Sequence, residues 1–105
     1  MQKRERDILN IFAEQVRNLY PKAQIWAFGS YVRGEATFES DLDVCVVIPD
    51  MQPDDRLVIS DIAWEVGFAH DLHLATIVIP KEKLDHGAFA ANPLLQAIRD
   101  EGVAA

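Results

Sequence analysis

The feature that most constrains this chain lies between Phe28 and Ile48. A Val/Ile-rich run, Leu42 to Ile48, is closed by Pro49 and carries two aspartates at its head, Asp41 and Asp43. A continuous apolar run of this kind is the pattern of a strand covered on both faces. A few residues earlier, Gly29-Ser30 ends another strand-like segment. The remainder reads as the scaffold that presents this unit.

The periodicity predicts a helix over residues 2–19, with Ile8, Ile11, Phe12, Val16 and Leu19 on one stripe and Arg6, Glu14 and Arg17 off it. Pro21 ends it. Residues 23–28 alternate and carry aromatic side chains, which predicts a strand. Residues 30–40 read as a loop with a short helical turn. Pro53 and the acids Asp54 and Asp55 open a second helix, with Val58, Ile62, Val66 and Ala69 as its core stripe, running to about Phe68. His70-Asp71 links it to a third strand over 72–79, closed by Pro80. Residues 81–90 are mixed, irregular or one helical turn, and Lys81-Glu82-Lys83 reads as a solvated turn. Asn92-Pro93 starts a last helix, with Gly102 past its end as the cap. Trp26 and Trp64 could stack a base, but as aromatic residues in a strand and a helix of a small domain they are expected in the core. The order implies a small α+β (or α/β two-layer) fold, helices on a sheet, formed as one domain over 1–105.

Composition narrows the function. The net charge is −7 and the pI about 4.7. Nucleic-acid affinity rests on clustered Lys and Arg at phosphates. A small acidic domain is therefore a poor general binder of DNA or RNA, and better suited to a small nucleotide carried with metal or to a basic protein partner. A single cysteine, Cys45, excludes an internal disulfide and fits a reducing cytoplasm. The charged N-terminus has no apolar signal-like segment, and no run approaches a membrane span.

Gly29 lets an anion approach the backbone closely, and Ser30 opens a helical turn whose free N–H groups face outward. Arg33, one turn on, can pair with a phosphate oxygen. The same residues also fit a plain strand-to-helix turn with a solvent-facing arginine. Asp41 and Asp43, at i and i+2, share a face if both lie on the strand. Two such carboxylates are costly together unless a cation or proton separates them, and Mg²⁺ suits them. Alternatively, Asp41 caps the loop and only Asp43 enters the strand. His70, Asp71 and His73 lack the four-ligand set of a structural zinc site.

Gly29-Ser30, Arg33-Gly34 and Ser40-Asp41-Leu42-Asp43 together resemble the signature of the DNA-polymerase-β-like nucleotidyltransferase superfamily. The likeness is greatest to its minimal single-domain prokaryotic members, which are paired with small helical HEPN-domain proteins. It is strongest over residues 25–48 and looser over the whole chain. The resemblance implies a nucleotidyltransferase fold with a mixed β-sheet, and two Mg²⁺ ions (or Mn²⁺) held by Asp41 and Asp43. It implies an NTP, ATP first, gripped at its β/γ-phosphates by Gly29 and Ser30 with help from Arg33. The reaction would move an NMP, AMP first, to a hydroxyl of a protein or small molecule and release pyrophosphate. The alternative it implies is an antitoxin that binds a HEPN-domain ribonuclease toxin, with weak or no catalysis. Self-association is left open. Active members usually carry a third carboxylate on the following strand. Alignment places His73 there, with Asp71 two residues earlier as the other candidate.

Overall fold

The computed structural model describes residues 1–84 and 92–105, so part of the mixed stretch over 81–90 lies outside the described residues. Helix α1, Lys3–Leu19, starts where the Gln2 backbone N–H donates to Glu5 Oε1 at 3.1 Å, which explains how Glu5 tolerates burial. Its buried stripe is Ile8, Leu9, Phe12, Ala13 and Val16. Leu19, expected inside, is exposed, and Ile11 is only partly covered.

Four strands form one mixed sheet in the order β3-β2-β1-β4. β1, Gln24–Phe28, runs antiparallel to β2, Leu42–Ile48, and to the short β4, Val103–Ala104. β2 runs parallel to β3, Leu74–Pro80, across a crossover through α3, Asp55–His70. Parallel neighbours need such a crossover, and a helix supplies it. A four-residue turn of helix, α2, Ser30–Arg33, follows β1. α4, Lys81–Leu84, follows β3, and α5, Pro93–Glu101, is capped by the Asn92 side chain accepting from the Leu94 N–H at 2.8 Å.

The predicted two-sided cover of β2 has a direct structural counterpart. Ile25, Ala27, Leu42, Val44, Val46, Ile48, Leu74 and Val78 form the main core with α1 and α3. Cys45, Val47 and Ile79 lie on the other face under Leu95 and Ile98 of α5, with Trp26 packed beside them. Burial pushes the Cys45 thiol up to about 11, so it remains protonated and unreactive at neutral pH.

α3 departs from its predicted stripe. Ile59, Ala63, Val66 and Gly67 are buried, whereas Ala69 is exposed. Trp64, expected in the core, is 63% exposed and stacks on Phe68, with ring centroids 5.3 Å apart. Apolar residues ring this helix almost completely, so periodicity could not select its inner face. Close approach selected it instead, through the small residues Ala63 and Gly67. α3 also persists to His70, and Asp71 is its left-handed cap at φ 52°. The Leu72 N–H returns to the Gly67 carbonyl at 3.0 Å, and Arg4 Nη2 donates to the carbonyls of His70 and Asp71, each at 3.0 Å. β3 therefore begins at Leu74, two residues later than predicted.

Lys81-Glu82-Lys83 is more than a solvated turn. The Asp50 N–H donates to Glu82 Oε1 at 2.9 Å, tying the exit of β2 to the exit of β3. That bond holds the Glu82 carboxyl below the usual carboxylate range. Among the described residues, no helix is long and apolar enough to cross a membrane.

A Cβ on Gly67 would overlap the Leu72 carbonyl oxygen, a backbone atom that the helix cap holds in place. Gly67→Ala is expected to lower unfolding stability by about 1–3 kcal/mol, the usual range for overpacking a tight contact. The check is a shift of the urea midpoint at constant slope.

Candidate active site

The site is built where the end of β1 meets the head of β2. Phe28 pairs with Asp43 in the antiparallel register, so Gly29 leaves β1 directly beside the Asp43 carboxylate. Gly29 has φ 81° and ψ −154°, a backbone region open essentially to glycine alone. A Cβ there would also overlap Asp43 Oδ2. The backbone conformation requires glycine here, and a side chain would in addition push the Asp43 carboxylate aside. Ser30 opens α2, the Arg33 N–H returns to the Gly29 carbonyl at 3.1 Å, and Gly34 closes the turn in the left-handed region.

Arg33 faces three acids. Its Nε donates to Glu35 Oε2 at 3.0 Å, and Nη1 lies 3.8 Å from Glu101 Oε2 at the end of α5. Its guanidinium and the Asp43 carboxylate also act on one another through their charges. Sequence reasoning missed both glutamates: Glu35 lies only two residues on, whereas Glu101 becomes a neighbour of Arg33 only when α5 folds across the sheet.

Asp43 lies on β2, and Asp41 immediately precedes the strand, as the loop alternative allowed. The loop is set by Ser40, whose Oγ accepts from the Thr37 N–H at 2.9 Å while its N–H donates to the Thr37 carbonyl at 3.0 Å. Leu42 and Val44 point into the main core, so Asp43 looks to the face that carries α5. Partial burial raises the Asp43 pKa first, and the Asp41 charge raises it further, against the opposing pull of Arg33. An acid pair in this state favours an added cation.

On β3, Ala75 pairs with Asp43. One step earlier, the Leu42 N–H donates to the His73 carbonyl at 2.9 Å, and His73 Nδ1 lies 3.2 Å from Asp41 Oδ1. His73 is therefore brought to the acid pair. Asp71 is not on the strand, being the α3 cap, although it lines the same recess of about 430 Å³ as Asp41 and His73. Phe38, Trp64 and Phe68 complete that recess, and Phe38 is 95% exposed. Sequence reasoning missed Phe38 and Phe68 as site neighbours and assigned Trp64 to the core. The available signal was an aromatic pair at i, i+4 on a helix already rich in apolar residues. Among the described residues, no three His, Cys, Asp or Glu side chains converge as a metal-ligating group.

Gly29→Ala is expected to lower stability by about 1–3 kcal/mol through backbone strain, and to displace the Asp43 side chain. Thermal unfolding and the chemical shift of the Asp43 carboxyl carbon check the two effects. Asp43 gives a pH dependence of definite sign. Its folded pKa is raised, so the folded state holds the proton at a pH where the unfolded chain has released it. Stability from this group therefore falls as pH rises from the ordinary carboxylate value through the raised one. Asp43→Asn should stabilise the metal-free protein at pH 7, with the gain vanishing below the ordinary carboxylate value. Urea midpoints across pH 3–7 check it.

A family model described as nucleotidyltransferase domain matches residues 9–99. No curated protein sequence matches the chain. Among solved structures, a toxin–antitoxin with AMP-PNP is similar at 23% identity and a TM-score of 0.63, covering 90% of this chain and 69% of that one. A mutant of the toxin–antitoxin MntA-HpeT is similar at 24% identity and a TM-score of 0.62, covering 91% and 69%. A second MntA-HpeT mutant, with two aspartates changed to glutamate, is similar at 20% identity and a TM-score of 0.62, covering 90% and 69%. These likenesses support the same mixed-sheet fold. The family match spans nearly all of the sheet and both walls of the site, and by it the chain belongs to the nucleotidyltransferase domain family.

Proposed function

We propose that this chain transfers an NMP, with ATP the first candidate donor, to a hydroxyl on a protein or small molecule. The observation that carries the reading is the close approach of Gly29 to the Asp43 carboxylate, which sets the glycine-serine turn against the head of β2 and its acids. Gly29 and Ser30 take the β/γ-phosphates through backbone N–H groups and the Ser30 hydroxyl. Arg33, swung from Glu35 and Glu101, adds a cation to the triphosphate.

The residues present fit a divalent ion. Asp43 is partly desolvated, Asp41 adds like charge, and hard oxygen donors suit Mg²⁺ or Mn²⁺. Bound by Asp41 and Asp43, such an ion would offset phosphate charge and polarise the phosphoryl group. The acceptor oxygen forms a bond to the α-phosphorus, the bond from that phosphorus to the bridging oxygen breaks, and pyrophosphate leaves with the electron pair. His73 takes the acceptor proton through Nε2, the nitrogen turned away from Asp41. Asp71, in the helix cap, is given no metal role.

A second reading has its own support. The similar toxin–antitoxin structures, and His73 where active relatives usually carry an acid, favour an antitoxin bound to a small helical HEPN-domain ribonuclease, with weak or no transfer. The exposed Phe38, Trp64 and Phe68, in the recess that Asp41 also lines, suit a protein surface better than a free small molecule.

Incubation with α-labelled ATP, divalent cation and a small helical HEPN-domain protein, taken from any adjacent gene, should label that protein. Asp41→Ala/Asp43→Ala should reduce labelling by at least about two orders of magnitude, the scale on which a preorganised electrostatic group acts. Undiminished labelling by the double variant would falsify the assignment of these acids. Partner binding without labelling would select the antitoxin reading.

A further inference from the structure

We infer that this chain holds a single divalent cation with its nucleotide, because β3 offers no acid to build a second ion site. The inference rests on the nucleotide-binding reading above and deepens it.

The argument is a count of ligands by position. One Mg²⁺ is satisfied by one or two carboxylates together with substrate phosphates, and Asp41, Asp43 and a triphosphate meet that need. A second ion in such sites stands about 3.5–4 Å from the first and requires further oxygen donors. Glu35 and Glu101 lie on Arg33 and converge with the acid pair in no group of three among the described residues, which leaves β3, the strand paired to β2, as the side to supply them. Two β3-side positions neighbour the acid pair. Ala75, paired with Asp43, has no donor atom. His73, beside Asp41, offers an imidazole, which suits zinc, copper, iron or nickel far better than hard Mg²⁺ or Mn²⁺.

His73 also acts against a second ion by occupation. Its Nδ1 lies 3.2 Å from Asp41 Oδ1, so the imidazole takes up space beside that oxygen that a second ion would need. Asp71 does not substitute. It sits in the left-handed cap of α3 with its carbonyl held by Arg4, and it joins no convergent group of three ligands among the described residues. Arg4 and the Gly67 carbonyl fix that cap, so a slide of the strand that would bring Asp71 forward must first break both.

The test is a metal count with a spectroscopic readout, independent of turnover. The full chain is loaded with Mn²⁺ and an ATP analogue carrying a methylene between the α and β phosphorus atoms, without acceptor. Retained manganese and nucleotide are counted, and the electron paramagnetic resonance spectrum is recorded. The expected result is one Mn²⁺ per nucleotide with the signal of an isolated ion. His73→Asp or Ala75→Asp should raise the count from one to two and give the broadened signal of a coupled pair. Two coupled ions in the unaltered chain would overturn the inference while leaving the nucleotide reading intact. Folded variants, checked by circular dichroism, that both still hold one ion would overturn the role given to β3. Failure of the unaltered chain to retain nucleotide with any ion would instead remove the reading on which the inference rests.

Discussion

The pairing of Phe28 with Asp43 is the contact on which the site depends. Antiparallel register is set by the apolar pattern, since a slip of one residue would turn every core side chain of β1 to the other face. Ile25 and Ala27 are buried against α1 and α3, so the register has no freedom. It follows that the first residue after β1 falls against an acid of β2, and that this residue must lack a Cβ. The site is thus a consequence of core packing: the hydrophobic pattern of two strands decides where a glycine and a carboxylate meet.

Charge then completes what packing begins. The acid pair leaves Asp43 in a raised-pKa state, and the neighbouring cation, Arg33, is shared with Glu35 and Glu101. Exposed ion pairs of this sort are weak, of order 0–1 kcal/mol. Arg33 can therefore exchange its glutamates for a more highly charged partner at little expense. The contact with Glu101 also joins α5 to the turn after β1.

Much of this was legible in the sequence, for identifiable reasons. The run over 42–48 announced a doubly covered strand because no polar residue past Asp43 interrupts it, and the spacing of Gly29, Ser30, Asp41 and Asp43 carried the family resemblance that the family match supports. Other features were hidden because they depend on contacts distant in sequence. The inner face of α3 could not be read from a helix that is apolar nearly all round, and Trp64 was misplaced for that reason. The start of β3 was misjudged because Arg4, sixty-six residues before His70, helps hold the helix cap. Glu101 was invisible as a partner of Arg33 until α5 crossed the sheet.

That cap explains why His73, rather than Asp71, reaches the acid pair. α3 must end in a tight left-handed turn because Gly67 brings it within reach of the Leu72 backbone. Asp71 is consumed in that turn, Leu72 is buried as its apolar anchor, and the next residue to emerge beside β2 is His73. The hydrogen bond from Leu42 to the His73 carbonyl then fixes its backbone relative to Asp41. The side chain facing the acid pair from β3 is thus selected by how a helix packs and stops. An acid at Asp71 cannot replace one at His73 by flexibility alone, since moving it forward would expose Leu72 and break the cap that holds the crossover to the sheet.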